Sequence, residues 1–328
     1  MGELLSIQDV VQEAAGLTNA SIVCSGFDNL KCEICLDTGS EAVSAALGFC
    51  AAEKRTIALT SSITQESVNE AAAMRMPLII VTTDSPEQVM ALRDAGALIF
   101  FCGSHQELFD AIIRSLRICE DPKVLLPCVI SWNGPVSYLD PVLPLSDQIV
   151  RNFLPPLKLP HRLDVKKPSV LGAADPQSRK QQQKAMEQAW KLYQSIEDVW
   201  SKKFKRSWPA YDCYKTDDAD LIVVAYGYHA STARALVDSQ RAAGKKPGLV
   251  TMRMLRPFPA MPMLKGKKLA VLDHSASPGS ISPLFCEIKP HADFCMPFIS
   301  LEKYLSERDF AEIFDRLGKA EKEEAVWI

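Results

Sequence analysis

Acids, hydroxyls and thiols that could do chemistry gather early in the chain. Asp37 and Glu41 flank Thr38-Gly39-Ser40, at the opening of an Ala-rich run. A carboxylate at that point can serve as an acid–base or hydrogen-bonding group. The same acid is also favoured for a plainer reason, because the first turn of a helix attracts negative charge. Thr60-Ser61-Ser62 closes a short apolar segment with three consecutive hydroxyls. Cys32 and Cys35 form one C-x-x-C pair, a spacing used for metal or redox thiols. No second ligand pair follows at zinc-finger spacing, and no C-x-x-C-x-x-C run offers an iron–sulfur cradle. His105 and His229 stand at predicted helix starts and His274 follows a predicted strand. Each is a possible acid–base group and, equally, an ordinary polar end of an element. No G-x-G-x-x-G follows any predicted strand, which argues against a nicotinamide-binding dehydrogenase.

These groups need elements to hold them. Helical spacing over 6–16 (Ile7, Val10, Val11, Ala14) precedes a short strand over 21–24. Thr38 to Ser40 suits an N-cap, and a helix is predicted over 40–52. Strands over 55–60, 78–82, 98–101 and 124–132 alternate with helices over 64–74, 86–94 and 106–119. Such alternation predicts a mostly parallel sheet covered on both faces. From Asp140 prolines crowd at 141, 144, 155, 156, 160 and 168, which reads as an extended connection. A long helix over 176–205 follows, with one apolar stripe through Met186, Ala189, Trp190, Tyr193, Ile196, Trp200 and Phe204. A second α/β unit starts near Asp220, with strands over 221–225, 248–252 and 268–273. Helices are predicted over 229–243 (closed by Gly244), 281–288 and 306–317. Leu255 to Pro259 breaks the pattern, and Glu321 to Glu324 is read as a solvated end.

The chain has 328 residues, enough for two cores. Hydrophobic content of 47% and charged content of 23% are those of a globular protein. A net charge of −3 argues against nucleic acid or a membrane surface as partner. No apolar run approaches the roughly 20 residues that span a bilayer. No basic segment precedes an apolar one at the N-terminus, so no signal peptide is expected. Ten cysteines scattered through apolar segments suit a reducing, cytoplasmic setting.

Several stretches, in order, resemble the alpha-type subunit of the 2-oxoacid:ferredoxin oxidoreductases, the pyruvate synthase family. In the first half these are Thr60-Ser61-Ser62, Arg93-Asp94-Ala95-Gly96, Gln106-Glu107 and Asn152-Phe-Leu-Pro-Pro156. In the second half they are Asp218 to Gly227, Arg241 to Val250, Leu255-Arg-Pro-Phe-Pro259, Val271-Leu-Asp-His-Ser275 with Gly279, and Ser306 to Phe310. The resemblance implies a thiamine-diphosphate pyrimidine-type α/β domain with a parallel sheet at 1–150. An extended linker and packing helix at 151–211 and a transketolase C-terminal-like α/β domain at 212–328 would follow.

The resemblance also implies a function. The chain would be one subunit of an enzyme, inactive alone, that helps the oxidative decarboxylation of a 2-oxoacid, passing the acyl unit to coenzyme A. Thiamine diphosphate would be shared with a beta subunit that holds the magnesium and diphosphate through a Gly-Asp-Gly segment, which this sequence lacks. An iron–sulfur, ferredoxin-like subunit and a gamma-type subunit would carry the clusters and complete the complex. In such enzymes a carboxylate hydrogen-bonds the aminopyrimidine ring and promotes the tautomer that removes the reactive proton. The expected position of that acid lands on Gly39, so Glu41, or Asp37 beside it, is the candidate, with Thr60, Ser61 and Ser62 as further cofactor contacts. The family's substrate loop has no clear counterpart; Cys24-Ser25-Gly26-Phe27 fills its place in a shortened stretch, with Ser25 the candidate substrate contact. The family's substrate-binding arginine loop is missing, Asp84 occupying its place, and Arg93 is the cation that could substitute. These departures leave a second reading, a degenerate structural or regulatory paralogue within such a complex.

Overall fold

The computed structural model describes residues 2–28, 30–160, 166, 176–301 and 305–328. The first half runs β1 (Glu3–Leu5), α1 (Ile7–Thr18), β2 (Ser21–Ser25), β3 (Ile34–Leu36), α2 (Gly39–Ala51), β4 (Thr56–Thr60), α3 (Gln65–Ala73), β5 (Ile79–Thr82), α4 (Pro86–Ala91), β6 (Leu98–Cys102), α5 (His105–Cys119) and β7 (Cys128–Trp132). After it come β8 (Asp140–Val142), α6 (Asp147–Phe153) and α7 (Pro176–Phe204). The second half runs β9 (Tyr211–Tyr214), β10 (Leu221–Tyr226), α8 (Gly227–Ala242), β11 (Pro247–Met252), β12 (Met254–Arg256), β13 (Lys268–Asp273), α9 (Pro283–Ile288), β14 (Phe294–Ile299), α10 (Glu307–Lys319) and β15 (Val326–Trp327).

Among the described residues the first sheet has the order β12-β6-β7-β5-β4-β2-β3, and its strands are parallel except for β12. Strands β4 to β7 are buried on both faces, as their apolar runs require. Ile57, Leu59, Ile79 and Val81 face one core with α1, α5 and α7, and the alternate residues Ala58, Leu78 and Ile80 face another. The second core is shared: Val224, Tyr226, Val250 and Val271 of the second sheet pack into it. The other face of that second sheet, ordered β15-β14-β13-β10-β11-β9, is covered by α8 and α10. A mostly parallel sheet with helical crossovers is thus built twice, with β9 antiparallel at the edge of the second.

Differences from expectation have local causes. The last strand of the first sheet begins at Cys128 rather than near Val124, because Leu125 adopts φ +43 and breaks the extended run. The Pro-rich connection holds β8 and α6, since β8 pairs antiparallel with β1 from the N-terminus. Residues 161–165 and 167–175 of that connection, Pro168 included, lie outside the described residues. Residues 254–256 do not simply interrupt the second unit. They cross over as β12 and extend the first sheet at β6. The charged end is exposed as expected, yet Glu323 is anchored, accepting from Cys295 N and pairing with Lys289 at 2.5 Å.

Candidate functional site

The C-terminal ends of β2 and β4 and the N-terminus of α2 meet at one rim, the place where parallel α/β sheets present groups to ligands. Ser25 Oγ and Thr60 Oγ1 lie 2.9 Å apart, both side chains buried. Thr60 Oγ1 donates to Ser62 O at 2.7 Å and accepts from Ser62 N at 3.1 Å. Gly39 N donates to Ser62 Oγ at 3.2 Å, which fastens the start of α2 to the turn after β4. Only glycine fits at 39, because a Cβ there would fall on the Ser62 carbonyl and the Thr60 hydroxyl. Gly26 holds φ +75 and stands against the Ser61 hydroxyl. Ser61, Ser62 and Gly26 face outward.

Glu41 belongs to this rim. Thr38 caps α2, and the two residues form a capping box. Thr38 N and Thr38 Oγ1 donate to Glu41 Oε2 at 3.0 and 2.9 Å. Glu41 Oε1 has no hydrogen-bond partner among the described residues, and the side chain is exposed. Asp37 is exposed just before the cap. The structure therefore brings together Glu41, Asp37, Ser25, Thr60, Ser61 and Ser62. It does not bring Arg93 to them. Arg93 lies in the turn before β6, towards the opposite end of the strands, where its carbonyl accepts Arg256 Nε at 2.8 Å.

One contributor escaped the sequence reading as a builder of the rim. Asp84 accepts Ile63 N at 2.8 Å and Ser85 N at 2.9 Å, so it clamps the turn after β4 to the start of α4. The signal was present as Asp-Ser-Pro, a turn followed by proline at a helix start.

The histidines serve the framework. His105 is buried, with Nδ1 on Leu5 O at 2.8 Å and its backbone N on Asp140 at 3.0 Å, so it fixes the β1–β8 ribbon. Burial lowers its pKa. His229 and His274 stack at 3.5 Å in the second unit. Burial pushes His229 down to about 3, the neighbouring His274 adding to the effect, and pushes His274 down to about 4. His274 Nδ1 rests on Ser300 O at 2.8 Å.

The mixed parallel-sheet α/β architecture matches that of thiamine-diphosphate-binding α/β domains. The whole fold is similar to 2-oxoglutarate:ferredoxin oxidoreductase from Magnetococcus marinus, with a TM-score of 0.71 at 11% identity, covering 96% of this chain and 65% of that one. Residues 39–205 match the family described as pyruvate flavodoxin/ferredoxin oxidoreductase, thiamine diphosphate-binding, and residues 219–304 match pyruvate:ferredoxin oxidoreductase core domain II. Pyruvate synthase subunit PorA of Methanothermobacter thermautotrophicus is 31% identical over 296 residues, 82% of this chain and 77% of that protein. The PorA subunit of Methanocaldococcus jannaschii is 27% identical over 89% of this chain and 84% of its own length. The chain belongs to the pyruvate:flavodoxin/ferredoxin oxidoreductase family.

Proposed function

We propose that this chain is the alpha-type subunit of a thiamine-diphosphate-dependent 2-oxoacid:ferredoxin oxidoreductase. The overall reaction converts a 2-oxoacid and coenzyme A into an acyl-CoA and carbon dioxide, with two electrons leaving to an iron–sulfur acceptor. The observation that carries this reading is the family match across 39–205, which begins at the residue where the capped helix meets the hydroxyl rim. Thiamine diphosphate, when bound, supplies a carbon nucleophile for the 2-oxoacid carbonyl. The rim has the donors and acceptors to meet its pyrimidine end. Glu41 offers the unpartnered Oε1, while Thr38 holds Oε2 and so fixes the carboxylate's orientation. In this reading Oε1 holds a proton or hydrogen bond at the ring nitrogen. Ser61 and Ser62 line the approach, with Asp37 beside the cap. Ser25 and Thr60, committed to each other, hold the turn in place. A beta-type chain would close the cleft and carry the magnesium and diphosphate. Iron–sulfur and gamma-type subunits would take the electrons and complete the assembly, in the cytoplasm. No described helix is long and apolar enough to cross a membrane.

The test is Glu41→Gln in the reconstituted complex. Glutamine keeps an oxygen for Thr38, so thermal stability should hold. Activity should fall by about 10²-fold or more, the usual contribution of a positioned acid–base group. Retained activity would remove Glu41 from the chemistry and leave the chain a structural role. Thiamine diphosphate should be retained by the mixed chains and by neither alone.

A further inference from the structure

The C-x-x-C pair, which the proposed reaction leaves unused, is joined in space by a third thiol. Cys24, on β2, is fully buried, and its Sγ lies 3.1 Å from Cys32 Sγ. Cys35 is the residue opposite Cys24 in the parallel β2–β3 register, and it is exposed. Cys32 is half-buried at the mouth of this group. Bringing two such sulfurs to bonding distance, about 2.05 Å, takes about an ångström of side-chain movement. We propose that Cys24 and Cys32 are an oxidation site, closing to a disulfide with hydrogen peroxide, with Cys35 within reach as the exchange partner.

The chemistry enters from outside. Burial raises the Cys24 thiol pKa well above the usual range, and hydrogen bonding with Cys32 and Cys35 raises it further, so Cys24 is a poor first nucleophile. The Cys32 thiolate attacks a peroxide oxygen, an S–O bond forms, the O–O bond breaks, and hydroxide leaves to become water. The Cys24 sulfur then attacks the Cys32 sulfur, the S–S bond forms, and the S–O bond breaks with loss of a second water carrying the Cys24 proton. Two thiols give up two electrons and two protons, and one peroxide becomes two waters. The bond would tie the segment after Gly26 back onto the end of β2, next to the Ser25–Thr60 pair. Its consequence for cofactor binding rests on the reading of that rim as the cofactor site. The oxidation itself does not.

The sequence makes the bond readable. Lys31 is the first basic residue, so trypsin places Cys24 in peptide 1–31 and both Cys32 and Cys35 in peptide 32–54. The reduced full chain is treated with a small excess of hydrogen peroxide, alkylated with iodoacetamide, digested and weighed. The expected product is the two peptides linked, with the mass of their unalkylated sum less two hydrogens plus two carbamidomethyl groups (on Cys35 and Cys50), and with loss of two of the ten alkylatable thiols. Cys35→Ser should keep this product, and Cys32→Ser should abolish it. Cys24→Ala should also abolish it, and Cys32→Ser stands alone as the test if that buried variant does not fold. An internal Cys32–Cys35 link within peptide 32–54, or no linked pair, would overturn the proposal. In the assembled complex, oxidation should lower thiamine diphosphate retention and dithiothreitol should restore it. A linked pair with unchanged retention supports the oxidation site and overturns its coupling to the rim.

Discussion

Gly39→Ala tests the rim most directly. The added Cβ would sit on the Ser62 carbonyl and the Thr60 hydroxyl, and the first of these is backbone and cannot rotate away. The turn after β4 must move, at an overpacking cost of about 1–3 kcal/mol. Moving it loosens the Gly39 N to Ser62 Oγ bond and the two bonds between Thr60 Oγ1 and Ser62. Each is worth about 1 kcal/mol net, less where water can replace the partner, as at exposed Ser62. The sum is a loss of at least about 1 kcal/mol and at most about 6 kcal/mol. Gly48 supplies the control on the same helix. It lies inside α2, exposed, and a Cβ there meets nothing within 4 Å. Gly48→Ala should therefore gain about 0.5–1 kcal/mol from helix propensity alone. Urea unfolding of the two variants beside the parent reads both values from the midpoints. The reasoning is refuted if Gly39→Ala lies within about 0.5 kcal/mol of the parent, the range of an innocuous surface change, or if both variants shift in the same direction.

Three further outcomes follow from named contacts. Because His229 and His274 have depressed folded pKa values, the unfolded chain takes up their protons first, so their stabilisation is present above about pH 6.5 and drains away as pH falls towards 4 and 3. Asp110, raised to about 6 by burial, and Asp273, raised by burial, act with the opposite sign in acid, so the histidine contribution is read by difference. The parent should lose up to about 1.4 kcal/mol more per pH unit below pH 6 than His229→Gln does, and equal slopes by urea unfolding would contradict this. Arg256→Ala should cost about 1–3 kcal/mol, because Arg256 joins Glu287 at 2.7 Å and the Arg93 carbonyl at 2.8 Å across the seam between the units; an unchanged midpoint would mean the seam is held elsewhere. Asp84→Ala strands Ile63 N and should cost about 1–3 kcal/mol, with thiamine diphosphate retention in the complex falling alongside, whereas stability loss without loss of retention would separate Asp84 from the rim.

Strands β2 and β4 to β7 were readable because they are buried and carry apolar runs, as in 79–82 and 98–102. Helix α2 was readable from Thr38 and Glu41, a capping box that is local by nature. β3, β9 and β14 escaped, and so did elements defined by non-local pairing. β12 has three residues, and only its pairing with β6 makes it a strand. β1 and β8 are likewise defined by each other, from opposite ends of the first unit. Glu41, Ser25 and Thr60 could be named from the resemblance, yet spacing alone could not say that Thr60 and Ser25 would be spent on each other or that Arg93 would sit towards the other end of the strands. The contact between Cys24 and Cys32 was hidden for the same reason, since eight residues and a turn separate them.

The two units share a core and are joined by polar links, while the rim residues stay exposed. Beside the shared core, polar links join the second unit to the first along β6 and β7. Tyr228 N donates to Asn133 Oδ1 at 2.8 Å and Ser231 Oγ donates to Gly103 O at 3.0 Å, setting the start of α8 on the ends of β7 and β6. Arg253 pairs with Glu107 at 2.7 Å, and β12 extends the β6 edge. Gly26, Ser61, Ser62 and Glu41, at the rim, stay exposed. A hydrogen bond to a carboxylate strengthens when water is excluded, and this chain by itself leaves Glu41 in water. In the proposed function a beta-type chain supplies the excluding surface, so the Glu41→Gln test is read in the assembled complex.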